Sequence, residues 1–443
     1  MSQYRSSLFS HIIEEVSVHD LRFPTSRDLS GSDAMHPDPD YSAAYVTIRT
    51  TDPTLSGYGL TFTLGRGNEL CTQAIQLLAP SVIGGRIGDL FGDMGALWKK
   101  VTGDSQLRFV GPEKGVIHMA AGALINAVWD LYARVESKPL WRLIIDMTPD
   151  QLVASIPFEY IEDALTPEEA LAILRQQLSH RESRLTEIEK DGYPAYTTSV
   201  GWLGYSDEKI RQACRRALND GWTRFKVKVG ADLDRDKGRL AIVREEIGPK
   251  STLMLDANQV WSVDEAIAWT NELARFEPFW IEEPTSPDDL LGHARIAREV
   301  APIRVASGEC CHNRVMFKQF LQAGAMGICQ PDSCRLAGVN EVLAVLLMAT
   351  KFGVPVCFHA GGVGLAEHVQ HLALVNYIAI GGPIENGMCE YTEHLHEHFV
   401  APVRMRRGRY LAPVVAGYGV EMKSGTLARF EYPRGEVWAS SHN

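Results

Sequence analysis

The sequence predicts an α/β fold: a (β/α) barrel preceded by a small α+β capping domain. Two observations predict it. From about Tyr193, short apolar strands alternate with amphipathic helices, the rhythm of parallel strands joined by crossover helices. Within that alternation an ionisable residue ends one strand after another, about one βα unit apart.

The strand candidates are 194–199, 223–229, 252–258, 279–284, 303–309, 326–332 and 354–360. Helices fit between them at 207–220, 263–276 and 339–352. The charged stretch 166–191 reads as helical and precedes the barrel proper. The first 150 residues read differently. Residues 10–25 and 43–64 look like strands, and 68–147 look mostly helical, with helical apolar spacing over 114–135. The Gly-, Pro- and Asp-rich run between those strands must be a loop. The expected divisions are a capping domain at 1–150, with a loop at 24–42, and the barrel at 151–415. Residues 416–443 lack the strand–helix rhythm and are expected to fold back onto the capping domain.

The chain has 443 residues and a formal net charge of -11. Such a surface repels phosphate backbones and anionic lipid, so neither nucleic acid nor membrane is expected as a partner. No run of about 18 apolar residues suggests a spanning helix. The first residues lack the apolar core of a signal peptide, and the eight cysteines contain no C-x-x-C pair. Buried thiols in a reducing compartment, and hence the cytoplasm, are the expectation.

The strand-end residues are Lys228, Asp256, Glu282, Glu309, Asp332 and His359, at intervals of 28, 26, 27, 23 and 27. In a barrel all of these ends meet at one mouth. So many converging charges are costly unless they pair or bind a metal. Asp256, Glu282 and Glu309 come from three adjacent strands. Three carboxylates without histidine or cysteine suit a hard cation such as Mg²⁺. Lys226 and Lys228, two residues apart, point to one face. A neighbouring cation and partial burial are expected to push a lysine pKa down toward that of a general base. Asp332 beside His359 would fix the imidazole tautomer and raise its pKa. The set suits removal of a proton beside a carboxylate, with the metal and Lys226 stabilising the enediolate.

KVKVG, LDAN, WIEEPTSPDD, GECCHNRVMFKQ, QPDSCR and FHAGGVG resemble the signature of the enolase superfamily, mandelate racemase branch. Longer stretches, among them GSDAMHPDPDYSAAY, AYTTSVGWLGYSD and EHLHEHF, resemble its L-fuconate and fungal L-galactonate dehydratases. The similarity runs from about Val16 to Trp438. It implies an enzyme, a hydro-lyase of carbohydrate-acid catabolism. L-fuconate would be its first substrate, L-galactonate or a racemase/epimerase reaction the alternative. By the same resemblance Lys228 abstracts the C2 proton, His359 expels the C3 hydroxyl and Asp332 orients His359. Mg²⁺ sits on Asp256, Glu282 and Glu309, and Lys226 contacts the substrate carboxylate. Glu390, 31 residues after His359, falls where an eighth strand should end, facing the substrate. Gly31, Ser32, Asp33 and Tyr41 belong to the loop that closes over the site. A homo-oligomer acting on a small sugar acid is the expected assembly. Pro331, Phe358 and Cys310 depart from the family pattern beside catalytic groups, where a shift of about 1 Å is worth ~100-fold in rate.

Three other motifs carry weaker chemistry. His394, His396 and His398 resemble a metal set but lack H-E-x-x-H, so packing or capping is expected. AGGVG lacks the following G-K-[ST] of a phosphate loop, and Cys310–Cys311 has no evident histidine partner.

Overall fold

The computed structural model describes residues 8–439; residues 1–7 and 440–443, the outer ends of the first and last expected segments, lie outside it. Strands β1 (Ile13–Arg22), β2 (Ser42–Thr50) and β3 (Ser56–Thr63) form an antiparallel sheet in that order. The helix Gly115–Val135 covers it. Its contact is close because β3 carries Gly59, where a Cβ would stand 2.2 Å from the Ala123 carbonyl oxygen. By length and hydropathy this helix could cross a bilayer, contrary to the sequence expectation, but 89% of its apolar window is buried inside the protein. Its hydropathy is that of a core helix.

The barrel strands are β4 (Tyr193–Thr197), β5 (Arg224–Lys228), β6 (Thr252–Asp256), β7 (Pro278–Glu282), β8 (Arg304–Ser307), β9 (Ile328–Cys329), β10 (Cys357–Phe358) and β11 (Met388–Tyr391). They run parallel in the order β10-β11-β4-β5-β6-β7-β8-β9. A parallel bridge from Cys329 to Val356 closes the circle. A short β12 (Arg409–Tyr410) pairs antiparallel with β4. After β4 to β8 the chain turns into a helix whose first turn is capped by a side chain. Ser206, Asp232, Ser262, Asp289 and Asn313 each accept a backbone N–H of that turn. This chemistry lets short loops follow the strands and leaves the strand ends free for function.

β9 and β10 are shorter than the sequence suggests. Pro331 has no N–H to extend the ladder, and after Phe358 the chain turns into the glycine-rich loop. Asp332 and His359 therefore stand just beyond the paired residues, as Glu309 does after β8.

The capping sheet and helices are fixed to the barrel by buried polar contacts. His118 Nε2 lies 2.6 Å from Glu341, which also accepts from Arg314 at 3.1 Å. Trp129 donates its indole N–H to Asn340 at 2.8 Å. The final segment lies on β1: Tyr432 donates to Asp20 O at 2.7 Å, and the Trp438 indole donates to Arg22 O at 3.0 Å.

Candidate active site

The barrel mouth opens into a cavity of about 420 Å³. Lys228, Glu309, His359 and Glu390 line it from the barrel; Gly31, Asp33 and Tyr41 line it from the capping loop. Asp256, Glu282 and Glu309 each offer an oxygen within 4.8 Å of the others. The Asn258 N–H holds the second Asp256 oxygen at 3.0 Å. Trp280 and Gln330 donate to Glu282 at 3.1 and 2.8 Å.

Both lysines reach this group. Lys228 Nζ lies 2.6 Å from Asp256. Lys226 Nζ touches Glu282 at 2.6 Å, Glu390 at 2.9 Å and Asp256 at 3.1 Å. Burial weakens the Lys228 ammonium most, but Asp256, Asp33 and Glu309 together overcome it and hold its pKa above the ordinary lysine value. Anionic partners stand against the lysine and favour its charged form, whereas the expected depression concerns the site with a cation beside Asp256. Lys226 is held well above its ordinary value in the same way: burial opposes its charge, while Glu282 and Glu390 restore it. It is fully buried, its Nζ is surrounded by carboxylates, and it does not line the cavity.

The carboxylates show a surplus of negative charge. Burial raises Asp256, but Lys228 and Lys226 reverse this and leave it low. Burial raises Glu282, and Asp256 raises it further. A further cation among these carboxylates would relieve that surplus. An all-oxygen donor set fits a hard divalent ion.

On the far side, His359 Nδ1 lies 2.7 Å from Asp332. Asp332 in turn accepts the backbone N–H groups of Cys334 and Arg335 at 2.6 and 2.9 Å. Pro331 and Phe358 therefore leave the dyad intact. His359 Nε2 faces the site, 3.5 Å from Glu309 and 3.8 Å from Glu390. Burial lowers the His359 pKa, but Glu309 and Asp332 overcome this and raise it to about 10. Glu390 accepts the Ala360 N–H at 2.9 Å and the Thr198 hydroxyl.

In the loop, Asp33 accepts the N–H groups of Met35 and His36 at 2.8 and 2.7 Å, and burial raises its pKa. Gly31 has φ +87°, and a Cβ there would meet the Tyr41 ring at 2.5 Å. Only glycine lets the loop pass over that tyrosine. Ser32 is not brought to the cavity. Its hydroxyl donates to Leu29 O at 2.7 Å and accepts from Gly204 N at 3.0 Å.

Sequence reasoning missed Thr198, Gln330 and Arg335. Thr198 lies just past β4 and Gln330 is the first residue of QPD; period-two counting along the strands would have found both. Arg335 lines the cavity and carries no such signal. His396–His398 form a single 3-10 turn instead of a helical metal face. His396 Nδ1 lies 2.7 Å from Glu367, and His394 packs on Tyr41.

Residues 209–426 match the family model of the enolase C-terminal domain-like fold. The crystal structure of human mitochondrial enolase superfamily member 1 superposes with a TM-score of 0.97 at 53% identity, covering 98% of this chain and 99% of that one. The chain belongs to the enolase superfamily. L-galactonate dehydratase of Hypocrea jecorina is 51% identical over 426 residues, 95% of this chain and 94% of that protein. A racemase from Streptomyces coelicolor A3(2) with bound magnesium is 26% identical, with a TM-score of 0.73, over 95% of this chain and all of the other. The superfamily fold accounts for the parallel barrel, the capping sheet and the placement of acidic groups at successive strand ends.

Proposed function

We propose that this enolase-superfamily enzyme is a Mg²⁺-dependent hydro-lyase that converts L-galactonate to its 2-keto-3-deoxy acid. The observation that carries this reading is the 51% identity to an L-galactonate dehydratase over nearly the whole of both chains, together with the strand-end site. The sequence motifs pointed to L-fuconate first, but this relative favours L-galactonate. The two acids differ by one hydroxyl at C6, which a pocket rejects weakly, so L-fuconate is the second substrate to test.

Asp256, Glu282 and Glu309 would hold the ion; the magnesium-bound racemase, of the same fold, supports its identity. Bound Mg²⁺ would offset the carboxylate charge, polarise the substrate carboxylate and stabilise the enediolate. Lys228 takes the C2 proton. It must first be neutral, and the Asp256 charge is what keeps it protonated, so neutralising Asp256 is the condition for catalysis. His359 donates its Nε2 proton to the leaving C3 hydroxyl, while Asp332 holds Nδ1–H, fixes the ring and favours its charged form. Lys226 acts from behind as the fixed counter-charge of Glu282 and Glu390.

Incubation with L-galactonate and L-fuconate, followed by a semicarbazide assay, should detect a 2-keto acid. Turnover should vanish with EDTA and return with Mg²⁺. Exchange of the C2 hydrogen in D₂O without keto acid would replace dehydration by racemisation. Activity surviving exhaustive chelation would remove the carboxylate triad from the mechanism.

A further inference from the structure

A second group of donors lies beside the first. Glu283, Glu309 and Cys310 each offer one atom, all within 4.8 Å of one another. Glu283 directly follows Glu282 and is fully buried. Its Oε2 accepts from Gln259 Nε2 at 2.8 Å, while its Oε1 has no partner among the described residues. The same Gln259 amide donates to Cys310 Sγ at 3.0 Å. A buried carboxylate oxygen left unpaired is expensive. Arg335 is the neighbouring positive group, but its guanidinium donates to Glu309 O and Met119 Sδ.

Donor type separates the two groups. The triad is all oxygen, whereas a cysteine in the second favours a softer ion. Cys310 is partly exposed and lines the cavity, which gives an ion its way in. Gln259 already holds Glu283 and Cys310 in place, as outer groups do around metal ligands.

We propose that Glu283, Cys310 and the shared Glu309 form a second cation site, for a thiophilic divalent ion of the Zn²⁺ class. Binding replaces the Cys310 thiol proton, which leaves to solvent, and forms a metal–thiolate bond. Because Glu309 belongs to both groups, an ion here draws on a ligand of the first, and the site restrains turnover when a thiophilic metal is abundant. The site rests on its own donors and stands whichever sugar acid the enzyme takes.

The test uses the full chain saturated with Mg²⁺ and titrated with Co²⁺. Wild type should show a near-ultraviolet thiolate-to-cobalt band that saturates at one ion per chain. Cys310→Ser should lose the band, with Cys310→Ala as a second variant and circular dichroism as the folding check. Glu283→Gln should weaken the titration roughly tenfold or more. Asp256→Asn should lose Mg²⁺-dependent turnover yet keep the band, which separates this site from the proposed reaction. No band in wild type, or an undiminished band in both Cys310 variants, would overturn the proposal.

Discussion

The barrel interior holds two neighbouring layers of opposite character. The lower layer is Tyr196, Met254, Trp280, Ala306, Ile328, Cys357 and Met388, an apolar cluster on seven strands, with Lys226 of β5 paired beside Met254. Two residues further along the same strands stand Thr198, Asp256, Glu282, Gly308, Gln330, His359 and Glu390. A strand repeats its facing every two residues, so both layers point inward from one backbone. They differ in what holds them. The lower layer is secured by apolar burial and close packing. The upper one is secured by mutual pairing and by hydrogen bonds from Asn258, Ala360 and Trp280, and buried charge pairs contribute little net stability. The enzyme therefore keeps its rigidity and its chemistry one pleat apart.

Two substitutions should separate the layers. Lys228→Ala should lower kcat by about 10²–10⁴-fold, the typical contribution of a positioned proton-transfer group. Its thermal midpoint should barely move, because Lys226 still lies 3.1 Å from Asp256. Met254→Ala should do the reverse, at a cost of about 2–5 kcal/mol in stability with turnover per folded molecule preserved. Steady-state rates and thermal melts on both variants decide the matter. A Met254→Ala protein that melts normally but loses activity would erase the distinction between the layers.

The contrast also explains what the sequence revealed. The mouth was legible because charges at about one-unit intervals in an apolar alternation have few other meanings. The resemblance added roles to Lys228, His359 and Asp332. Side-chain partnership was not legible. Nothing in the spacing of Lys226 shows that three carboxylates would surround its ammonium and turn it away from the cavity. The Lys228 shift likewise depends on Asp256 at 2.6 Å, a contact between two strands that spacing alone does not show. The ends of β9 and β10 were overestimated because apolar composition continues past the last ladder bond.

Another buried polar group lies outside both layers, at the seam of the capping and barrel parts. Burial raises the Glu341 pKa, but His118 and Arg314 reverse this and bring it from 4.5 to about 2. A depressed carboxyl stabilises the fold above its unfolded pKa. Its contribution is therefore complete above about 4.5 and is lost as pH falls toward 2. Glu341→Gln should be less stable than wild type at neutral pH, by about 1.5–3 kcal/mol for a charged hydrogen-bonded group. Thermal melts at decreasing pH should show the gap closing below pH 4.5. A gap that stayed constant with pH would mean that shape, not charge, holds this seam.

The smallest expected effect concerns the loop over the mouth. Ser32 joins that loop to the segment after β4 through Gly204 N at 3.0 Å, and its own carbonyl accepts from Leu203 N at 3.1 Å. Ser32→Ala removes the acceptor of the Gly204 N–H, and because Gly204 is exposed, water replaces it at a net loss of about 0.5–1.5 kcal/mol. The loss falls on the docking of the loop over the mouth, so KM should rise about threefold while kcat holds, the pattern of lost uniform binding. It should also fall equally on L-galactonate and L-fuconate, since a hydroxyl behind the cavity wall has no means of distinguishing them at C6. Steady-state constants for both acids give the ratio directly. A changed ratio would place the Ser32 hydroxyl against the substrate, as the family resemblance implied, and would require the loop to rearrange when substrate binds.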